Sequence, residues 1–484
     1  MAAEGTSAEE KIRTCTESYL CLDRLPRPAV SFITIVLPFV AMAAIALAPI
    51  GLESGIKYTL AVFVCVSLLW TFGALPLAVT ALLVPVLLVF FGIFTPTGAL
   101  ASFADPVVFL LIGGLIIAEA FRVNGLDKRL AYTLVTMVGG DLRRTFVALM
   151  AISAALSMWI SNTATVALLL PVVLNIANRA RGNDRKVATL FLLGICMSTA
   201  FGSMSTIVGS PVNAIAFGML NQVALWTFLD WIAVGGAVSL ALLLLTYLLL
   251  PRIIPPSADN IDLGPIAKEL KGMGPVSKRE AITLAIFMPT VGLWIGGGWT
   301  TQLLGLTPGF LSAAMVSLMA AFLLFASRAI AWSDARRISW EVFLIIGAGL
   351  AIGHALDATG TAAWFAQLLF ELTGGQSLIV MMLLVGFITI LMGTMLSNSA
   401  TVSIMVPIVI SLSTAIGADP RYLVLVAALC ASISFITPVG TPPVTLAYST
   451  GFFTRRELAR AGLIVTIPAV FLVVLIVFAL VSLG

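Results

Sequence analysis

Two short polar segments interrupt long apolar stretches of this sequence, and the two segments are nearly identical. They are Ser161, Asn162 and Thr163 within residues 145–178, and Ser397, Asn398 and Ser399 within residues 377–412. Serine, asparagine and threonine are favoured helix N-caps, so each segment should end one half-helix and begin another. Hydroxyl and amide donors at a helix N-terminus suit an anionic ligand.

A second pair of motifs repeats along the chain, GSPVN at 209–213 and GTPPV at 440–444. In each motif glycine permits a break, the hydroxyl residue can cap the next helix, and proline suits its first position. The residues are Gly209, Ser210, Pro211, Gly440, Thr441 and Pro442. The apolar stretches 187–220 and 421–450 are therefore predicted to be broken helices.

Together the motifs predict four helix N-termini near the middle of the apolar region. Each N-terminus carries roughly half a positive charge, so four supply about +2. This arrangement suits a divalent anion held without arginine. The half-helix C-termini and unwound carbonyls would attract a small cation such as sodium.

The composition is that of a membrane protein. Hydrophobic residues make up 60% of the 484 residues and charged residues only 10%, against about a quarter in soluble domains. This excludes a soluble enzyme, a disordered chain and a nucleic-acid-binding protein. One histidine and five cysteines without a CxxC pattern argue against a metal cluster, a haem or a disulfide framework. We expect no enzymatic activity and no cofactor.

Apolar length predicts about eleven spanning helices, each of about 20 residues. They are expected near 29–50, 55–73, 75–94, 105–121, 187–220, 226–251, 281–299, 308–327, 340–358, 421–450 and 457–483. Stretches 145–178 and 377–412 have halves of about 15 residues, too short to cross, and are predicted to be re-entrant hairpins.

The distribution of basic residues predicts the orientation in the membrane. With a cytosolic tail over 1–28 and an outside C-terminus, 24 of the 26 Lys and Arg lie on the cytosolic side, and only Lys57 and Arg421 lie outside. An integral protein of the inner or plasma membrane is expected.

The chain is also predicted to contain an inverted-topology repeat. FLLIGG at 109–114 matches FLIIGA at 343–348, and the Ser-Asn and Gly-x-Pro motifs follow in the same order. Five predicted crossings separate the two hairpins, so the hairpins enter from opposite sides, as in many secondary transporters. The halves are 29–250 and 281–484, joined by a cytosolic linker over 251–280.

In these motifs the chain resembles the divalent anion/sodium symporter family, which includes dicarboxylate, citrate and sulfate carriers. The resemblance covers about residues 29–483 and implies a homodimer with an elevator motion. The scaffold would contain the early spans of each half; the transport domain would contain the hairpins, the broken spans and the spans after them. Substrate would contact Ser161, Asn162, Thr163, Ser210, Pro211, Ser397, Asn398, Ser399, Thr441 and Pro442. The resemblance places one sodium at Ser157, Ser161, Asn162 and Gly209, and a second at Thr394, Leu396, Asn398 and Gly440.

Three positions depart from the symmetric pattern. Ser399 lacks the methyl group of Thr163, Gly393 stands where the first half has Ser157, and Val444 stands where it has Asn213. The second sodium site is thus less complete than the first.

Sodium-coupled import of a C4-dicarboxylate such as succinate is the leading hypothesis. Sodium-independent exchange and a sulfate or citrate carrier stay open, whereas a cation/proton antiporter is disfavoured because no acidic residue falls clearly mid-span.

Overall fold

The computed structural model describes residues 27–49, 51–73, 75–179, 185–256, 263–373, 377–438 and 441–483. Within these ranges all regular secondary structure is helical, which confirms the predicted all-α class. The first half contains α1 (Arg27–Leu47), α2 (Ser54–Phe72), α3 (Leu77–Phe90), α4 (Pro96–Ala101), a 3-10 turn (Ser102–Ala104), α5 (Pro106–Asn124), α6 (Leu126–Met137), α7 (Leu142–Ser157), α8 (Asn162–Arg179), α9 (Arg185–Ser203), α10 (Pro211–Val223) and α11 (Phe228–Ile253). The linker and second half contain α12 (Gly264–Gly272), α13 (Lys278–Leu303), α14 (Ala313–Ala326), α15 (Trp332–Ala335), α16 (Glu341–Ala358), α17 (Thr361–Thr373), α18 (Leu378–Met395), α19 (Asn398–Ala415), α20 (Pro420–Ala431), α21 (Pro442–Tyr448) and α22 (Arg455–Leu483).

Nine helical segments in the described part of the chain are long and apolar enough to cross a membrane. Several other apolar helices, such as Leu77–Phe90 and Ala313–Ala326, are shorter. The chain is thus a polytopic membrane protein. Two of the nine are α18 and α19, which have 18 residues each, so the expectation of halves of about 15 residues, too short to cross, is wrong for the stretch 377–412. The count of eleven crossings, the re-entrant hairpins and the inverted repeat stay predictions.

The helix ends follow from local sequence. Thr227 and Ser277 each begin a helix with a reciprocal capping box, completed by Asp230 and Glu280. Asp105 caps α5, where its carboxylate accepts from the Val107 amide at 2.8 Å.

Helix is interrupted at each of the four predicted places. α7 ends at Ser157 and α8 begins at Asn162, and α18 ends at Met395 before α19 begins at Asn398. Non-helical residues also separate α9 from α10 and α20 from α21. The site is therefore built at the ends of helices, where backbone groups lack partners within the helix.

The broken helices lie in the protein core. α9 packs on α7, α8 and α11, and α20 packs on α18, α19 and α22. A Cβ on Gly202 of α9 would overlap backbone atoms of Ala154 in α7, so the two backbones are in direct contact there. Close backbone approach through small residues is characteristic of membrane helix packing.

Five helices lie outside the predicted spans and hairpins, and polar contacts connect two of them. α4 and α15 are short, α6 and α17 follow α5 and α16, and α12 lies within the predicted linker. Arg129 of α6 pairs with Glu280 at 2.6 Å and donates to the Gly274 carbonyl at 2.9 Å. Tyr132 of α6 donates to Glu269 of α12 at 2.8 Å. The part of the linker over residues 263–280 is thus attached to α6.

Candidate functional site

Side-chain hydrogen bonds hold the tip of the first interrupted segment. Ser157 ends α7, and its Oγ donates to Oδ1 of Asn162, the first residue of α8. Nδ2 of Asn162 donates to Oγ of Ser203 at 3.2 Å, at the end of α9. Ser157 and Ser203 are fully buried. Asn162 therefore joins the tip to the neighbouring broken helix.

The loop between α9 and α10 is fixed to the same tip. Oγ1 of Thr206 donates to the Met158 carbonyl at 2.5 Å and accepts from the Gly209 amide at 3.0 Å. Nδ2 of Asn213 donates to the carbonyls of Ser203 and Thr206, both at 2.7 Å. Asn213 is fully buried, so one amide group determines the direction of two loop carbonyls.

Gly209 is required by a close approach of backbone atoms. A Cβ there would lie 2.5 Å from the Ser203 carbonyl oxygen and 3.0 Å from that of Ser157. Of the four residues expected at the first sodium, the structure brings together Ser157, Asn162 and Gly209. Their neutral oxygens are the ligands a hard cation prefers. Oδ1 of Asn213 is a further buried oxygen without a hydrogen-bond partner, so the polar set fits a small cation.

The first-half residues expected at the substrate stand at helix N-termini. Ser161 and Thr163 are exposed, and Oγ of Ser161 accepts from the Ala164 amide at 3.3 Å. Ser210 caps α10, accepting from the Val212 amide at 3.3 Å, and Pro211 occupies the first turn. Two helix N-termini in this half thus carry neutral donors.

The residues of the second half that are expected at the substrate are placed similarly. Ser397 caps α19, accepting from the Ala400 amide at 3.2 Å, and Asn398 and Ser399 form its first turn. Thr441 is the residue before α21, and Pro442 begins that helix. All of these except Thr441 are at least partly exposed.

The four residues expected at the second sodium are less clearly brought together than those at the first. Oγ1 of Thr394 donates to the Leu391 carbonyl at 2.6 Å, within its own helix. Leu396 directly follows α18, and its amide donates to the Met392 carbonyl at 2.7 Å. Gly440 lies outside the described residues. Oδ1 of Asn398 is shielded from solvent and has no hydrogen-bond partner.

Helices of the two halves contact each other near these helix N-termini. α21, beginning at Pro442, packs on α8 and α9 of the first half, while α10, beginning at Pro211, packs on α19 of the second. Sγ of Cys196 approaches the Pro443 carbonyl at 3.6 Å, and the rings of Phe201 and Phe435 lie 5.4 Å apart. Helices that begin at the motifs of one half thus contact helices of the other half.

Four polar residues at the breaks were missed in the sequence: Ser203, Thr206, Ser434 and Thr437. The sequence contains a signal for all four. Ser203 and Ser434, and likewise Thr206 and Thr437, are each 231 residues apart, the same separation as Gly209 and Gly440. Extending the repeat a few residues upstream would have identified both pairs.

Sequence and structure comparisons agree with this architecture. Residues 29–482 match the family model for the sodium:sulfate symporter transmembrane region. An uncharacterized transporter of Haemophilus influenzae is 32% identical over 427 residues, covering 85% of this chain and 89% of that protein. The sodium-dependent dicarboxylate transporter SdcS of Staphylococcus saprophyticus is 27% identical, covering 88% and 86%.

Two solved structures share the fold. The Alcanivorax borkumensis YdaH transporter superposes with a TM-score of 0.53 at 16% identity, covering 94% of this chain and 97% of that one. Neisseria gonorrhoeae MtrF gives a TM-score of 0.56 at 14% identity, covering 95% of each chain. Given the family match over nearly its whole length, this membrane transporter belongs to the sodium:sulfate symporter family.

Proposed function

We propose that this chain imports divalent anions together with sodium, and that C4-dicarboxylates such as succinate are its main substrates. The observation that carries the proposal is the set of neutral donors at the starts of α8, α10, α19 and α21. Four helix N-termini offer a dianion about two positive charges without any arginine. The relative named a sodium-dependent dicarboxylate transporter supports this choice of substrate and ion.

The substrate would contact donors from both halves. Asn162 and Asn398 supply the amides, and Ser161, Thr163, Ser210, Ser397, Ser399 and Thr441 supply the hydroxyls, with Pro211 and Pro442 at the helix starts. Sodium ions would occupy oxygen-lined positions behind each tip. Because the cations neutralise the dianion's charge, each ligand favours binding of the other.

We further propose alternating access by an elevator motion within a homodimer, with a cytosolic N-terminus. α16, which belongs to the expected scaffold, contacts α19 and α10, which begin at the site. A Cβ on Gly349 of α16 would overlap Oγ of Ser403, and one on Gly353 would lie 2.8 Å from Cε of Met219. This contact is where the proposed transport domain would move against the scaffold.

Uptake into proteoliposomes tests the proposal. Purified protein is reconstituted, and radiolabelled succinate uptake is measured with an inward sodium gradient or with potassium in its place. Concentrative uptake with sodium alone is expected. Uptake that needs internal succinate and ignores sodium would instead establish an exchanger, and selective competition by sulfate or citrate would reassign the substrate.

Variants at the tips test the site. Asn162→Ala and Asn398→Ala should each abolish uptake, because each removes an amide expected to touch the substrate. Asn175→Ala, at an exposed position on α8, is the matched control and should transport normally. Unchanged uptake by either tip variant would refute the assignment.

A further inference from the structure

A pocket of about 490 Å³ lies at the N-terminal end of α7 and the C-terminal end of α11. α9 packs on both helices, and its residue Leu190 also lines the pocket. The volume is within the range of pockets that hold small molecules. No lining residue belongs to any of the four helix breaks, so the pocket is separate from the candidate transport site.

Much of the pocket lining is apolar. Leu142 and Phe146 of α7 and Leu190 of α9 line it and are otherwise buried. The ring of Phe146 lies directly against α9, where a Cβ on Gly194 would be 2.4 Å from its Cε2 atom. Such a surface makes favourable van der Waals contacts with an acyl chain, whereas a small hydrated anion gains little from it.

Two arginines line the same pocket. Arg143 lies in the first turn of α7 and Arg252 in the last turn of α11, and both are exposed. Arg252 donates to the Leu248 carbonyl of its own helix through Nη1 only, and no ion pair among the described residues includes either guanidinium. A guanidinium with free donors is well suited to bind phosphate oxygens.

The remaining polar groups leave the pocket with a positive charge. Asp141 supplies a carboxylate, and its Oδ1 accepts from the Arg144 amide at 2.8 Å as the N-cap of α7. The hydroxyl of Tyr247 also borders the pocket and makes no hydrogen bond within the described part of the chain. Two guanidinium groups against one carboxylate favour an anion over a cation.

An exposed apolar surface leads along α11 to this pocket. Leu240, Leu244 and Leu248 recur at every fourth position and are exposed, and Leu248 lines the pocket itself. Residues four apart lie on one face of a helix, so this row faces acyl chains when the helix crosses a membrane. The predicted orientation places both arginines at the cytosolic side, where basic pockets between membrane helices bind anionic headgroups.

We propose that this pocket binds an anionic phospholipid of the cytosolic leaflet. The lipid phosphate lies between Arg143 and Arg252, Tyr247 donates to a headgroup oxygen, and an acyl chain follows the exposed leucines of α11. α7 and α9 also carry residues of the first break, so the bound lipid stabilises helices that position the transport site. The lipid site itself is independent of substrate and sodium.

Thermal unfolding with added lipid is the test. Detergent-purified protein is heated with phosphatidylglycerol, with phosphatidylcholine of the same acyl chains, or with inorganic phosphate, all at constant ionic strength. Phosphatidylglycerol should raise the unfolding temperature, and the other two should have little effect. Arg143→Gln and Arg252→Gln should each raise the mole fraction of phosphatidylglycerol needed for half-maximal stabilisation about tenfold, because each removes one charged phosphate contact.

Arg144→Gln is the matched control, since Arg144 is the exposed neighbour of Arg143 but does not line the pocket. Its midpoint should stay within about twofold of the parent. Equal shifts in Arg144→Gln and Arg143→Gln would overturn the proposal, because the lipid would then respond to surface charge in general. Equal stabilisation by phosphatidylcholine or by inorganic phosphate, or none by phosphatidylglycerol, would overturn it too.

Discussion

Replacement of Asn213 by valine should destabilise the loop between α9 and α10 and weaken sodium binding at the first expected site. The substitution reproduces the second half, where Val444 occupies the matching position. Two hydrogen bonds of 2.7 Å, to the carbonyls of Ser203 and Thr206, would be lost. Each contributes about 1 kcal/mol net, and a carbonyl left buried without a partner adds to the loss, so about 2–4 kcal/mol is expected in all.

The consequence for sodium follows from the position of these carbonyls. Ser203 also accepts a hydrogen bond from Asn162, and its carbonyl lies against Gly209, both expected at the first sodium. If about 2 kcal/mol of the loss appears in the bound state, the sodium affinity falls roughly thirtyfold. Asn213→Val should thus need at least about tenfold more sodium for half-maximal thermal stabilisation.

The assay is thermal unfolding of purified protein across a sodium chloride titration in choline chloride. Asn175→Val, at an exposed position on α8, is the control for introducing valine in place of asparagine. A folded Asn213→Val protein with an unchanged unfolding temperature and sodium midpoint would refute the reasoning, because the amide would then not hold the loop.

Two further predictions concern the surroundings of the site. Gly235→Ala should destabilise the protein and reduce uptake, because a Cβ there would overlap the Met204 carbonyl in the loop after α9; thermal unfolding and succinate uptake measure both effects. Arg129→Gln should lower the free energy of unfolding by roughly 3 kcal/mol at neutral pH, because it leaves the buried Glu280 carboxylate without its cation. Burial raises the pKa of Glu280, but the hydrogen bonds from Arg129 and Ser277 outweigh it and hold that pKa below its ordinary value. This stabilisation is present above the ordinary glutamate pKa and is lost as the pH falls through the lowered folded-state pKa, so the parent and variant unfolding curves should converge in acid.

Each of these predictions has a neighbouring control. Gly236→Ala should be tolerated, since a Cβ there meets only the Ile232 side chain at 3.9 Å. Lys128→Gln should have little effect, because the pair of Lys128 with Glu269 is half exposed and surface pairs contribute little. Equal losses in Gly235→Ala and Gly236→Ala, or in Arg129→Gln and Lys128→Gln, would show that the contacts named do not cause them.

Most of the helical architecture could be predicted from the sequence. Apolar length identified the long helices, and the Ser-Asn and Gly-x-Pro motifs identified the breaks, because caps, glycine and proline act over a few residues. The observed breaks after Ser157 and Met395 lie within a few residues of the predicted ones. α4, α6, α12, α15 and α17 were missed because none has more than 13 residues, which is shorter than a membrane span.

The assembly of the site could not be predicted in the same way. The resemblance places Thr394, the sequence neighbour of Gly393, at the second sodium, although Gly393 leaves that site without a hydroxyl matching Ser157. Ser434, some forty residues later, is the residue whose Oγ lies beside Gly393. Sequence neighbours on a helix point in different directions, whereas a residue distant in sequence, such as Ser434 in the segment after α20, can lie in the same space.

The sequence by itself determined that this chain is a membrane transporter with four helix breaks carrying neutral donors, since composition, caps and breakers are local properties. Only the tertiary structure decided which oxygens meet: Asn162 with Ser203, Asn213 with the carbonyls of Ser203 and Thr206, and α21 of one half with α8 of the other. The physical reason is that these contacts join residues of different helices and of the loop between α9 and α10. Their distances depend on how the helices pack, which no local pattern encodes.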